Sequence, residues 1–208
     1  MTDRLHRDFP LFPLGIVTLP TEYVPLHIFE ERYKTMVERC LDADAEFGIL
    51  WLSGDELKET GCAVRIDRVL ERMDDGRLNI LCRGTQVFRL VERQDDLPYP
   101  AGTVEFLEDR DEPVDEELAA RTREAYATLV AQAADRVLDP EEVEDMSAYE
   151  MAATVDFGLD AKQGLLDLRS ENARLRLVER LFRAATKRLD YVERAQARAR
   201  SNGKVRFG

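Results

Sequence analysis

The sequence predicts an α+β fold, in which an N-terminal β-barrel with one inserted helix precedes a C-terminal helical bundle that ends in a long helix. Apolar residues mostly alternate with polar ones over residues 61–107, which is typical of strands with one buried face. The alternation stops at the acidic stretch 108–117. We therefore expect a barrel subdomain at residues 1–110 and a helical subdomain at residues 111–208.

The alternating segment contains a predicted β-hairpin. Apolar residues occupy every second position in the runs 62–66 and 78–82. Between them lies Asp75-Gly76, a pair that readily takes the positive φ values of a tight turn. We expect the remaining barrel strands at residues 16–19, 47–52, 86–91 and 103–107.

One amphipathic helix is predicted inside the barrel, at residues 29–41. Its apolar positions follow the i, i+4, i+7, i+8 spacing of a single buried stripe. They are Phe29, Tyr33, Met36, Val37, Cys40 and Leu41. The charged residues between them should face water.

Helix-start signals divide the second half of the chain. Pro140 suits a first helical position, and Ser147 stands three residues before Glu150, as in a capping box. The predicted helix starts are Asp115, Asp139, Ser147, Asp160 and Ser170. We expect the first of these helices to end near Val137 and the third to end at Gly158.

Composition and charge limit the function classes. The 208 residues are 44% hydrophobic, which is ample for a packed core, and the net charge is −12. Such a charge argues against nucleic acid and anionic membranes as partners. Residues 169–208 reverse this sign, with twelve basic and four acidic residues. This basic end is compatible with a solvated helix face, a nucleic-acid contact or a docking surface for an acidic partner.

The cysteines and the N-terminus indicate a cytoplasmic protein. Cys40, Cys62 and Cys82 are odd in number and have no metal-ligand spacing, which favours reduced thiols packed in the core. The first ten residues lack the apolar centre of a signal peptide, and no segment has the roughly 20 apolar residues that span a bilayer. We expect no membrane attachment, no cofactor and no bound metal.

The proline-punctuated opening resembles the start of the Lon protease N-terminal domain family. The resemblance continues through the middle of the chain and into its helical half, so that it spans nearly the whole chain. Its motifs are Leu11-Phe12-Pro13-Leu14, Val17-Thr18-Leu19-Pro20, the segment Pro25-Leu26-His27-Ile28-Phe29-Glu30, Arg32-Tyr33, Gly61, Asp75-Gly76-Arg77, Gly84, Phe88-Arg89, Lys162-Gln163-Gly164-Leu165-Leu166 and Asn172-Ala173-Arg174-Leu175.

This resemblance implies a PUA-like barrel joined to a helical bundle, and a role in recognising polypeptides. In full-length Lon the domain precedes ATPase and protease modules. Here Gly203-Lys204-Val205 lacks the other residues of a P-loop, and the chain has no room for a Ser-Lys protease domain. We therefore expect a stand-alone protein that is not an enzyme, with no catalytic residue.

Four residues are candidates for contact with a partner. Glu30 and Arg32 are charged residues at a predicted helix start, although such residues more often cap the helix or pair locally. Trp51 is the only tryptophan and suits either an interface or the core. Arg89 belongs to segment 83–89, where the chain departs from the more compact segment usual in the family. His27 is expected to be a packed, hydrogen-bonded histidine.

Two function hypotheses follow, with a third weaker one. The first is a non-catalytic polypeptide-binding or adaptor protein, whose ligands would be unfolded segments or a protease or chaperone partner. The second is an RNA-binding PUA-like module that uses the basic C-terminal helix, and it predicts salt-dependent binding lost on deletion of residues 194–208. The third is a small-molecule enzyme with an interior pocket. The long last helix is also compatible with a homo-oligomer.

Overall fold

The computed structural model describes residues 5–202, and its contacts divide the chain into two compact units. The sheet unit takes in the chain up to Glu112 together with Ala152–Ser170. The helical unit takes in Pro113–Met151 and the chain from Glu171 onward. The predicted division of the chain at residue 110 into two subdomains stays a prediction, and the contacts add residues 152–170 to the sheet unit. Gly203-Lys204-Val205 lies outside the described residues.

Five strands of the sheet unit form a closed ring of hydrogen-bonded neighbours, and two more strands are attached to it. All pairs are antiparallel except the parallel pair that closes the ring, β1 with β3. In ring order the strands are β1 (Leu5–Leu14), β7 (Ala101–Phe106), β6 (Leu78–Gln94), β5 (Thr60–Arg72) and β3 (Phe47–Ser53). Outside the ring, β2 (Tyr23–Ile28) pairs with β6, and β4 (Glu56–Leu57) pairs with β3. The ring confirms the predicted barrel.

The predicted hairpin joins β5 to β6. Gly76 has φ +80°, and its N–H donates to the carbonyl of Met73 at 2.9 Å. The runs 78–82 and 86–91, expected as separate strands, belong to one strand of 17 residues, β6, which continues through Gly84. The predicted strand at residues 16–19 is wrong. Those residues form a loop whose Val17 and Leu19 side chains are buried, and apolar residues alone do not distinguish a buried loop from a strand.

The inserted helix α1 (Glu31–Ala43) covers the main apolar core of the sheet unit. Four residues of the predicted stripe, Tyr33, Met36, Val37 and Cys40, are buried in that core. The place of Phe29 in the stripe is wrong: its side chain is 59% exposed. The cause is the helix start, since Glu30 is the extended N-cap residue and Phe29 therefore precedes the helical register.

The C-terminal helices confirm most of the predicted starts. They are α2 (Glu116–Ala134), α3 (Pro140–Val143), α4 (Ala148–Ala152), α5 (Leu159–Asp167) and α6 (Glu171–Asn202). The Asp115 carboxylate caps α2 by accepting from the Leu118 N–H at 3.0 Å, and Glu150 accepts from the Ser147 N–H at 2.8 Å. No helix within residues 5–202 combines the length and apolarity needed to cross a bilayer.

Two predicted helix ends are wrong. Helix α2 stops at Ala134 because Asp135 takes a left-handed φ of 50°, which ends a helix. Helix α4 stops at Ala152, and Gly158 with φ +82° precedes α5 instead of closing α4.

Candidate functional site

Exposed apolar side chains gather around β2 in the sheet unit. Tyr23 is 53% exposed, Phe29 is 59% exposed and Leu70 of β5 is 53% exposed. Leu70 lines, together with Pro25 and His27, a groove of about 540 Å³. Apolar side chains that cluster on a surface commonly mark a site of interaction.

The pairing register shows which side chains share this surface. Directly opposed residues of antiparallel strands point to the same face of a sheet. Three rows cross from β2 over β6 to β5: His27, Asn79 and Glu71; Pro25, Leu81 and Arg68; Tyr23, Arg83 and Arg65. We call these rows, with Phe29 and Leu70, the β2 face.

Hydrogen bonds hold the first row in place. The Nδ1 atom of His27 lies 2.7 Å from Oδ1 of Asn79, whose Nδ2 donates to the Glu71 carboxylate at 2.7 Å. The His27 ring stacks on Phe29 with the ring centroids 5.8 Å apart. His27 is hydrogen-bonded, as expected, but it is exposed instead of packed in the core. The row therefore fixes an exposed aromatic pair at one end of the face.

The other end of the β2 face is charged. The Arg83 guanidinium lies 5.8 Å from the centroid of the Tyr23 ring, within the range of a cation–π contact. Arg83 and Arg65 line a second groove of about 480 Å³. The face thus offers apolar contact at one end and guanidinium groups at the other.

The open edge of β2 is less suited to binding than its face. Within the described residues β2 pairs only with β6, so its other edge has no strand neighbour. Pro25, in the middle of this six-residue strand, has no N–H to donate. Proline on an edge strand opposes the addition of a further strand. Side-chain contact with the face is the better-supported mode of recognition.

The four predicted partner-contact residues are spread over the sheet unit. Glu30 and Arg32 form an ion pair at 2.8 Å and line a separate groove of about 340 Å³. Trp51 on β3 is partly buried, with the Lys58 ammonium 5.9 Å from its ring. Arg89 on β6 pairs across the sheet with Glu105. Only Glu30 and Arg32 of the four line a common groove.

Sequence reasoning missed the residues that make up the β2 face. Leu70 follows Val69, and two consecutive apolar residues break the alternation of a strand. The register of β5 against β6 shifts between Val69 and Glu71, so this break corresponds to a bulge. The consecutive apolar residues Val69 and Leu70 were therefore the signal in the sequence that could have indicated an exposed apolar side chain here. Tyr23 and Phe29 carried none, because their exposure depends on the exact ends of β2 and α1.

The cysteines of the sheet unit are protected from reaction. Burial raises the pKa of Cys40 to about 11. Burial also raises the pKa of Cys82 to about 12, and electrostatic interaction with Cys40 contributes a smaller part of that shift. Burial also raises the pKa of Cys62 well above its usual value. Since the thiolate is the nucleophilic form, these thiols are unreactive near neutral pH. Among residues 5–202, no cluster of three His, Cys, Asp or Glu side chains could hold a metal ion.

Solved structures with the same architecture come from Lon proteins. The Lon N-terminal domain protein from Xanthomonas campestris is 25% identical, and the match covers 82% of this chain and 96% of that chain with a TM-score of 0.63. The N-terminal domain of Mycobacterium avium complex Lon protease matches with a TM-score of 0.59 over 85% of this chain and 98% of that chain. At 18% identity, the second match shows the fold alone.

Sequence comparison agrees with the structural matches. Lon protease 1 of Hydrogenovibrio crunogenus is 23% identical over 95% of this chain, which spans only 25% of that protein's length. Residues 8–183 match the family of the ATP-dependent protease La (LON) substrate-binding domain. Because this match covers most of the 208 residues, the chain belongs to the Lon substrate-binding domain family.

Proposed function

We propose that this protein is a non-catalytic, polypeptide-binding adaptor that uses the β2 face to bind exposed apolar segments of unfolded chains. Membership of a substrate-binding domain family supports polypeptide binding in general. The observation that carries the choice of surface is the exposure of Tyr23, Phe29 and Leu70 on the β2 face, where Leu70 lines a groove with Pro25 and His27. The cytoplasmic location expected from the sequence is part of this proposal.

The chemistry of the face fits a weak and broadly specific binder. Covering a half-exposed leucine or phenylalanine with a ligand side chain contributes about 1 kcal/mol. The His27, Asn79 and Glu71 row holds the Phe29 ring in place before a ligand arrives, so that less side-chain entropy is lost on binding. A few such contacts allow rapid exchange of many different apolar segments.

The groove lined by Glu30 and Arg32 is a second place where a partner could bind. Its lining includes the apolar residues Phe12, Leu14 and Leu52 together with side chains of both signs of charge. We propose it as the surface for a folded protease or chaperone partner, since mixed charge favours specific orientation over broad recognition. Trp51 and Arg89 stay predictions as contact residues.

The test of the β2 face replaces two of its exposed apolar side chains by serine, the aromatic Phe29 and the aliphatic Leu70. In the variant Phe29→Ser/Leu70→Ser, binding of a labelled, reduced and carboxymethylated polypeptide should weaken about tenfold or more. Fluorescence anisotropy measures this affinity. The matched control is Val91→Ser/Val137→Ser, since Val91 is 53% exposed, Val137 is 86% exposed, and neither residue belongs to the β2 face.

Two results would overturn this assignment. Equal weakening by the control pair would show that any exposed apolar residue contributes, so that the β2 face has no special role. Unchanged binding by Phe29→Ser/Leu70→Ser, together with weakening by Glu30→Gln/Arg32→Gln, would move the polypeptide site to the second groove.

A further inference from the structure

Helix α6 carries a row of basic side chains along one face. Successive members are three or four residues apart, which keeps them on one side of an α-helix. They are Arg176, Arg180, Arg183, Lys187, Arg194 and Arg198, and Tyr191 fills the one remaining turn. All seven side chains are exposed. At 1.5 Å per residue the row is about 33 Å long, and we call it the basic stripe.

The stripe lies on the exposed side of α6, away from the buried residues of that helix. The buried residues of the helix are Arg174, Leu175, Val178 and Phe182. At 100° per residue, the stripe lies on nearly the opposite side of the helix from these four. The stripe therefore contributes no buried residue to the helical unit, although two of its members, Arg183 and Lys187, line a groove together with residues of α2.

Most of the charge of the stripe is not neutralised nearby. Arg183 pairs with Glu179 at 2.8 Å. Within residues 5–202, Arg176, Arg180, Lys187 and Arg194 have no carboxylate within ion-pair distance. Of the other acidic residues of α6, Glu171 pairs with Arg174 and Asp190 accepts from Gln132. Ordinary solvated helices alternate the signs of their charges, whereas this face carries one sign for six turns.

The composition of the stripe favours nucleic acid over another helix as its ligand. A helix partner would need an apolar seam, as in a coiled coil, and no aliphatic residue stands in the stripe. Arginine guanidinium groups bind phosphate oxygens with two hydrogen bonds each. Tyr191 is 74% exposed, and such an aromatic ring between cations is suited to stacking on an unpaired base.

We propose that the basic stripe of α6 binds single-stranded nucleic acid, independently of polypeptide binding at the β2 face. The basic side chains of the stripe would contact successive phosphates while Tyr191 stacks on a base. The net charge of −12 opposes association at long range, so that binding depends on close contact and is weak at physiological salt.

Salt dependence and substitution of the stripe test this proposal in the full chain. With about five phosphates neutralised, the logarithm of the affinity for a short labelled oligonucleotide should fall with log salt at a slope of about −3 to −4. The variant Arg180→Gln/Lys187→Gln/Arg194→Gln should bind at least about tenfold more weakly and reduce the slope by about 2. Tyr191→Ala should weaken binding without changing the slope, and Tyr191→Phe should bind normally.

A charge-matched control separates the stripe from total charge. Arg7→Gln/Arg110→Gln/Arg136→Gln removes three exposed arginines elsewhere and should leave most of the affinity intact. Equal loss in both triple variants, or a slope near zero, would overturn the proposal. Stronger binding of an acidic polyglutamate peptide than of the oligonucleotide would also overturn it and assign the stripe to an acidic protein. Circular dichroism of each variant verifies that α6 stays folded.

Discussion

Lys162 and Glu22 form an ion pair in which each side chain is only 14% exposed. The same Glu22 carboxylate accepts from the Leu19 N–H at 2.9 Å, so it ties α5 to the loop between β1 and β2. These residues are 140 positions apart in the sequence. The sequence placed Lys162 in a family motif, but no periodicity could indicate its partner, because the contact depends on how the chain folds back.

We expect Lys162→Met to lower the free energy of unfolding of the sheet unit by about 1–3 kcal/mol, since Glu22 would be left mostly buried without a cation. Urea denaturation measures the change. The control is Lys58→Met, whose partner Glu56 is 70% exposed, and there the loss should be clearly smaller than for Lys162→Met. Similar losses in the two variants would show that the burial of the first pair has no energetic consequence.

The long strand β6 shows where sequence patterns succeed and where they fail at the level of an element. The alternation at residues 78–82 and the turn at Gly76 predicted its start correctly. Residues 78–82 and 86–91 were expected as separate strands, but one strand runs through both, with Gly84 between them. The glycine permits close approach: its N–H donates to the Glu22 carbonyl at 2.8 Å, and its carbonyl accepts from the Thr21 N–H at 2.9 Å. Only the folded backbone reveals that neighbour.

Gly84→Ala should therefore destabilise the sheet unit by about 3 kcal/mol, the upper range for overpacking. An added Cβ would lie 2.0 Å from the carbonyl oxygen of Leu19 and 3.3 Å from the Sγ atom of the buried Cys62, which leaves little room to adjust. The midpoint of urea denaturation measures the loss. Gly15→Ala is the matched control, because a Cβ there meets no atom within 4 Å. A tolerated Gly84→Ala would mean that the loop at residues 15–22 moves easily.

On the scale of the whole molecule, the order of barrel, inserted helix and helical half followed from the sequence, because each depends on local periodicity. The sequence did not predict that α5 belongs to the sheet unit. Its helical signal resembles those of its neighbours, yet its Gln163 side chain donates to the Thr60 carbonyl of β5 at 3.1 Å. Long-range contacts of this kind assign residues 152–170 to the sheet unit. The β2 face escaped prediction for the same reason, since it depends on the pairing of β2 with β6, which lies far along the chain.

If α5 belongs energetically to the sheet unit, its amide protons should follow that unit when each unit is destabilised separately. Phe182 is fully buried in the helical unit, 5.3 Å from the ring of Tyr126, so Phe182→Leu should cost roughly 1–3 kcal/mol there. Hydrogen exchange by mass spectrometry should then speed up in α2 and α6 but not in α5. Gly84→Ala should do the reverse, speeding exchange in β6 and α5. Loss of protection of α5 in step with α2 would instead place it in the helical unit, as the sequence alone suggests.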